Sequence, residues 1–416
     1  MKSSRSTKKT PDPASAGNPK KAAQPSISSP AAGSLVRMGM IGGGPGAFIG
    51  AIHRTAALMD GLIELSCGAF SSDADKSRAM GRTLNLPPQR VYATYEEMIQ
   101  TESQLPPDER MDFVSIVTPN HLHYGPAKMA MEAGFHVVLD KPMTFDLQEA
   151  KALQATVEAT GKYFCLTHTY AGYPMIKEAR EQVRNGALGN IRKVYVTYPQ
   201  GWLSTLLESS DSKQASWRTD PTRSGKAGAM GDIGTHAFHL AEYITGLEAV
   251  EVCADINIVV PGRQLDDDGA VLLRFDNGAS GVLVASQVLA GEENTLAIQV
   301  YGEKGGLEWK HTDPNSLLMK WPDAPLQCLR AGTGYLSAAA RANTRTPAGH
   351  PEGFIEAFAN HYRNFARSIQ AAKNGSRPEP EWLDFPSVSE GVRGMAFIDT
   401  VIASGRSDQK WTPFAR

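Results

Sequence analysis

The chain has 416 residues, 41% of them hydrophobic and 21% charged, with a formal net charge of −2. That balance supports a large buried core in roughly two or three domains and excludes a global basic field for nucleic acid or an anionic membrane, leaving small-molecule chemistry. Cys67, Cys165, Cys253 and Cys328 are far apart and form no CxxC pair, so neither a disulfide framework nor a zinc site is expected, and a cytoplasmic location is.

Residues 1–35 are rich in Ser, Pro, Ala and Lys, with Lys2, Arg5, Lys8, Lys9, Lys20 and Lys21 against the single acid Asp12. This composition predicts a disordered basic tail, and without an apolar core it does not read as a signal peptide. No apolar stretch further along reaches the roughly 18 to 20 residues that cross a bilayer. From residue 36, short β-rich apolar runs alternate with helical stretches, the sign of a parallel sheet covered by helices. Strands are expected at 36–41, 62–70, 113–117, 137–139 and 163–167, and helices at 50–59, 75–84, 95–100, 125–133 and 147–159. Residues 36–162 read as one doubly wound domain.

After a helix at 174–184 the pattern turns strand-rich, at 191–198, 250–259, 270–275, 279–287, 296–301 and 306–309. Asp276-Asn277-Gly278 and residues 302–305 supply turns. Residues 163–416 are therefore expected to form a second α/β domain with a large, mostly antiparallel open sheet. Helices at 353–373 and 387–403 should pack on one or both domains. An open sheet face needs a cover, which predicts a homodimer or homotetramer through that sheet.

The glycine-rich turn at 42–50 joins the first strand to the first helix. Gly42 suits the tight turn and Gly44 a close backbone approach to a pyrophosphate, with Pro45, Gly46, Phe48 and Ile49 completing a dinucleotide cradle. Ala47 stands where a third glycine belongs and Gly50 follows three residues later, so the loop is either rearranged or longer. The second strand ends in Phe70-Ser71-Ser72-Asp73, with no acid clearly at its tip to hold a ribose. Ser71 and Ser72 with Lys76 tolerate a 2′-phosphate, whereas Asp73 reaches for a ribose, so NAD and NADP both remain open.

Two further clusters accompany the turn: Thr118-Pro119-Asn120 with His123 and Asp140-Lys141-Pro142, then Gly231-Asp232-Ile233-Gly234-Thr235-His236. A lysine at the carboxyl end of a strand can position a substrate hydroxyl. Asp232 and His236 lie four apart, sharing a face if helical, a spacing suited to acid/base work. His239 lies one turn beyond, but no third ligand is placed, so no metal is expected.

Together, over about residues 36–410, these clusters resemble the Gfo/Idh/MocA family of sugar and polyol oxidoreductases, in which a Rossmann domain precedes an α/β domain carrying an open sheet. The resemblance implies an NAD(P)-dependent dehydrogenase or reductase of a cyclic polyol, sugar or glycoside. It makes Lys141, Asp232 and His236 the catalytic set, with His236 as acid/base. The family's Glu-Lys-Pro is here Asp140-Lys141-Pro142, which keeps the acid one methylene shorter. Thr118, Pro119, Asn120, His123, Asp140 and Lys141 are expected beside the cofactor. His168 and Tyr170 stand near where many members carry an arginine, and they join Trp217, Arg218, Asp232 and His236 as expected substrate contacts. The long polar stretch 198–231 reads equally as part of the substrate site or as a mobile surface loop. A glycoside-processing enzyme that retains NAD for transient oxidation, and a non-catalytic nucleotide sensor, are the alternatives.

Overall fold

The computed structural model describes residues 35–209 and 213–415; all but the last residue of the expected basic tail lies outside them. Five short apolar strands, β1 (Val36–Gly42), β2 (Ile63–Ala69), β3 (Phe113–Val117), β4 (His136–Leu139) and β5 (Phe164–Leu166), form a parallel sheet in the order β2-β1-β3-β4-β5. Their near-continuous burial follows from helices on both faces. Helices Tyr95–Gln104, Tyr124–Glu132 and Leu147–Thr160 cover one face. The other face is covered by Phe48–Leu58 and by Phe354–Lys373, whose Phe358, Tyr362 and Phe365 pack among Val36, Met38 and Phe113. A helix from the far end of the sequence thus completes the first sheet's core.

Strand order reverses between β1 and β3, and Gly42 pairs with Val117 at their carboxyl ends. In an open α/β sheet the ligand crevice lies beyond that point. The first helix starts at Phe48 rather than residue 50, and the third runs on to Gln104.

The second sheet has nine strands: β6 (Ile191–Pro199), β7 (Ala249–Asn257), β8 (Asp268–Phe275), β9 (Ser280–Ser286), β10 (Ala297–Gly302), β11 (Gly306–Lys310), β12 (Ser316–Lys320), β13 (Gln327–Arg330) and β14 (Thr412–Pro413). Their order is β13-β12-β11-β10-β6-β9-β8-β7-β14, antiparallel throughout except for the β6–β9 pair. Along β8 exposed and buried residues alternate strictly, the mark of a sheet with one solvated face. Helices Pro174–Arg184, Thr235–Thr245 and Val388–Gly405 cover the other. Strand β12 and the edge strands β13 and β14 were not expected from the sequence, being short or interleaved with turn residues. Among the described residues, no helix is long and apolar enough to cross a membrane.

Candidate active site

A cleft of about 630 Å³ opens over the carboxyl ends of β1, β3 and β4. Gly42, Gly44, Pro45, Phe48, Ile49, Ser71, Ser72, Lys76, Thr118, Pro119, Asn120, Asp140 and Lys141 all line it. The glycine turn fits a dinucleotide for reasons visible in its packing. Gly42 adopts φ 87°, and a Cβ on Gly44 would lie 2.6 Å from the Phe70 carbonyl oxygen, so the close approach at Gly44 is to the residue that follows β2. A Cβ on Gly50 would lie 2.4 Å from Gly43 Cα. Gly50 therefore does the helix-packing work of the third glycine, in a loop three residues longer than the common spacing. Ala47 offers no capping side chain to helix Phe48–Leu58 and no acid occupies its first turn, which leaves its leading amides for an anion.

Two expected cofactor contacts move elsewhere. Gly46 does not line the cleft; it sits at the turn with φ 74°. His123 is fully buried with its ring between two backbone carbonyls, Nδ1 2.9 Å from Pro142 O and Nε2 2.8 Å from Thr118 O, and the one N–H of the neutral ring donates to one of them. It braces the two loops that carry Asn120 and Lys141. At the tip of β2, Asp73 caps its own helix, its Oδ1 accepting from Asp75 N at 3.0 Å and Lys76 N at 3.2 Å. Ser71 and Ser72 form that wall of the cleft instead.

The second half of the site is drawn from distant segments. Lys141 Nζ donates to the Asp232 carbonyl at 2.7 Å and to Asp232 Oδ1 at 2.6 Å. Gln287 Nε2 donates to Asp232 Oδ2 at 2.9 Å, and Arg218 Nε lies 3.4 Å from the same oxygen. Burial works to raise the Asp232 carboxyl, but Lys141 and Arg218 hold it well below the usual carboxylate range. Asp140 Oδ1 accepts from Lys141 N at 2.9 Å and from Thr167 Oγ1 at 3.0 Å. The shorter acid thus pins the backbone that presents the lysine.

Asp232 and His236 do not share a regular helical face. Residues Met230–Gly234 form a π-helical turn before helix Thr235–Thr245, anchored by Asp266 accepting from Gly228 N and Met230 N at 2.7 Å each. The wider turn directs the Asp232 carboxylate to Lys141, Arg218 and Gln287, while His236 faces a buried aromatic cluster. π-turns of this kind recur at functional sites. His236 is 7% exposed. Burial, then the Lys141 charge, hold its imidazole well below the ordinary value despite the opposing pull of Asp232.

His168, Tyr170 and His236 do not line the cleft itself; His236 lies behind the Lys141–Asp232 pair, whose charges act on its ring. The His168 ring stacks on His239 with centroids 4.2 Å apart, and its Nδ1 lies 3.4 Å from His236 Nδ1. Tyr170 packs edge-on to His236 at 5.0 Å and its hydroxyl pairs with that of Tyr198. Both form the layer behind His236.

The stretch 198–231 is built rather than open, among its described residues. Helices Lys213–Arg218 and Pro221–Ser224 fold over the cleft, bringing Gln214, Trp217 and Arg218 to its wall, and Asn120 Nδ2 donates to Ser224 O at 2.9 Å. The Arg218 guanidinium lies over the Trp217 ring at 4.3 Å, so one indole face is already covered. Beside Asp232, an amide chain runs from Gln287 to Gln200 at 3.3 Å, to Asn294 at 2.6 Å and on to the Tyr170 hydroxyl at 3.0 Å. The sequence reading missed these amides. Their one signal was position, at the carboxyl ends of β6 and β9 and in the loop after β9.

Comparison with known proteins agrees with this arrangement. The profile described as "Oxidoreductase family, NAD-binding Rossmann fold" matches residues 36–168, and the GFO/IDH/MocA C-terminal domain matches residues 176–308. An inositol dehydrogenase homolog from Azotobacter vinelandii is similar in two structures. Its NAD+ complex is 34% identical, covers 93% of this chain and 99% of its own, and has a TM-score of 0.87. Its complex with NADH and myo-inositol is 32% identical over 91% and 98%, with a TM-score of 0.83. An oxidoreductase from Sinorhizobium meliloti is 42% identical over 91% of this chain and 99% of its own, with a TM-score of 0.82. An uncharacterised oxidoreductase of Bacillus subtilis is 32% identical over 91% of this chain and 97% of that protein. With both domain profiles matched in order around the cleft, this chain belongs to the Gfo/Idh/MocA family of oxidoreductases and carries its NAD-binding Rossmann fold.

Proposed function

We propose that the chain is an NAD-dependent dehydrogenase of a cyclic polyol or sugar, with Lys141 positioning the secondary hydroxyl and His236 as its acid/base. The observation that carries this reading is the Lys141–Asp232 pair on the cleft wall beyond the end of β4, opposite the glycine turn, with His236 behind it and close enough for both charges to act on its ring. NAD, when bound, supplies the acceptor for the hydride. Two of the three Lys141 ammonium hydrogens are held by Asp232, so the third is left to donate to the substrate oxygen. That contact fixes the carbinol carbon and steadies the charge that develops on oxygen as its proton leaves. His236 Nδ1 faces His168, so Nε2 is the nitrogen that accepts the hydroxyl proton in oxidation and returns it in reduction. Gln287, Gln200 and Asn294 tie the Asp232 carboxylate to the Tyr170 hydroxyl and so hold its orientation toward Lys141. The myo-inositol bound by the Azotobacter relative supports a ring bearing vicinal hydroxyls.

The test is to offer the full chain NAD+ with myo-inositol, other inositols, hexoses and anhydro sugars, following nicotinamide absorbance. Reduction of NAD+ by at least one cyclic polyol or sugar is expected. Cofactor binding without any absorbance change across the panel would favour the sensor instead.

We place a homodimer or homotetramer contact on the outer face of the nine-stranded sheet. There Tyr195 and Leu272 are 41% and 43% exposed and Tyr301 packs edge-on to Tyr195, a solvated apolar face of the sort that assembly covers. Sedimentation should give two or four subunits for the native chain and one for Tyr195→Lys/Leu272→Lys; a monomeric native chain sinks the placement.

A further inference from the structure

We propose that His168 is a positioning residue for His236: its Nδ1 lone pair accepts the Nδ1–H of His236 and fixes the tautomer whose Nε2 is free to take the substrate proton. This rests on the acid/base reading of His236. The two Nδ1 atoms are 3.4 Å apart with the rings at 82°. Two imidazole nitrogens bond only when one carries a hydrogen and the other a lone pair. Were His168 the donor, neutral His236 would carry its hydrogen on Nε2 and have nothing there to accept a proton. Only the opposite arrangement leaves a base.

His168 is built for this place. Its ring lies flat on His239, 7° from parallel, and His239 Nε2 pairs with Glu390 Oε1 at 3.0 Å. Its carbonyl accepts from His361 Nε2 at 3.1 Å. The residue is 2% exposed, packed between His236 and His239. The titratable groups that face it are His236, His239, His361 and Lys141; burial first, then these neighbours, hold it far below the ordinary imidazole value. It is therefore neutral, with a lone pair to offer. His236 is faced by Lys141, Asp232 and His239 and by the rings of Tyr170 and Tyr198.

The choice of acceptor has a consequence for turnover. A carboxylate on Nδ1 would raise the basicity of His236 and retain the proton; a neutral imidazole orients the ring and leaves the base easy to reset.

Two variants separate orientation from bulk. His168→Asn puts a carbonyl oxygen near the Nδ1 position, whereas His168→Phe keeps a flat ring on His239 without an acceptor. Both are assayed beside His236→Ala, with NADH binding as the check on folding and with myo-inositol or the polyol that turns over in the panel. His168→Phe should lower kcat by about tenfold or more with KM changed less than about threefold. Its acid limb of kcat/KM should move to lower pH, because the imidazolium loses its acceptor. His168→Asn should stay within about threefold of the native rate. Imidazole nitrogen NMR of the NADH-bound protein, which needs no turnover, should show His236 protonated on Nδ1 in the native chain and as a tautomer mixture in His168→Phe. A native tautomer and rate in His168→Phe overturns the proposal, as does a His168→Asn as impaired as His168→Phe with NADH binding intact. Undiminished turnover in His236→Ala would instead remove the acid/base reading, which the His168 results alone do not address.

Discussion

Replacing Lys141 by alanine is expected to lower kcat by about a thousandfold, roughly 4 kcal/mol of transition-state stabilisation, while NADH affinity stays within a few-fold. The two effects separate because the proposed reading assigns the phosphates to the glycine turn and the reacting end to Lys141, which pairs with Asp232. The side chain is 14% exposed and its nitrogen is fixed by two contacts on one residue. It is therefore preorganised, which is what makes a charge effective against a developing alkoxide. Arginine should not rescue it. Its planar fork cannot place a single nitrogen within hydrogen-bond distance of both Asp232 oxygens and still point a hydrogen at substrate. In Lys141→Ala the Asp232 carboxylate keeps Arg218 and Gln287, so the site should stay folded and the NADH titration intact. Turnover of the alanine variant within about fivefold of native would remove Lys141 from the chemistry.

The readable part of the chain was the part whose signal is local. The β1 turn, the Asp140-Lys141-Pro142 strand end and the 3.6- and 2-residue periodicities placed both sheets and the cleft, because each depends on neighbours within a few residues. The pairings that make the site are different: Lys141 meets Asp232 across 91 residues, and Gln287 meets Asp232 across 55. No periodicity records such contacts, so the amides at the ends of β6 and β9 carried no more signal than any polar residue after a strand. His123 and His168 were misplaced for a related reason. A histidine near a strand end looks available, yet burial and paired carbonyls or rings made one a brace and the other a backing layer. The π-turn was illegible too, since the Asp232–His236 spacing reads as one helical face, and the turn is anchored by Asp266, 36 residues from Met230.

Removing the His236 imidazole tests the other half of the proposed chemistry. His236→Ala should lose between about a hundredfold and ten-thousandfold in kcat, the range for a positioned general base, with NADH binding retained. Added imidazole should restore part of the rate, because the alanine leaves a ring-sized space beside Tyr170. The pH dependence follows from the environment. Burial, then Lys141, then His239 disfavour the imidazolium, and only Asp232 favours it. Protonation abolishes the base, so the oxidation rate is lost as pH falls. The folded value lies well below 6.5, so kcat/KM for oxidation should stay flat down through that pH and fall only in more acid solution. Reduction needs the protonated ring, which is scarce at neutral pH, so its rate should instead rise as pH falls. Asp232→Asn removes the one charge that favours the imidazolium and should move the acid limb of oxidation lower still. A limb that stays in place in Asp232→Asn and persists unchanged in His236→Ala would assign the titration to another group. The opposed pH slopes of the two directions express one fact: a base made ready by burial is, for the same reason, a reluctant acid.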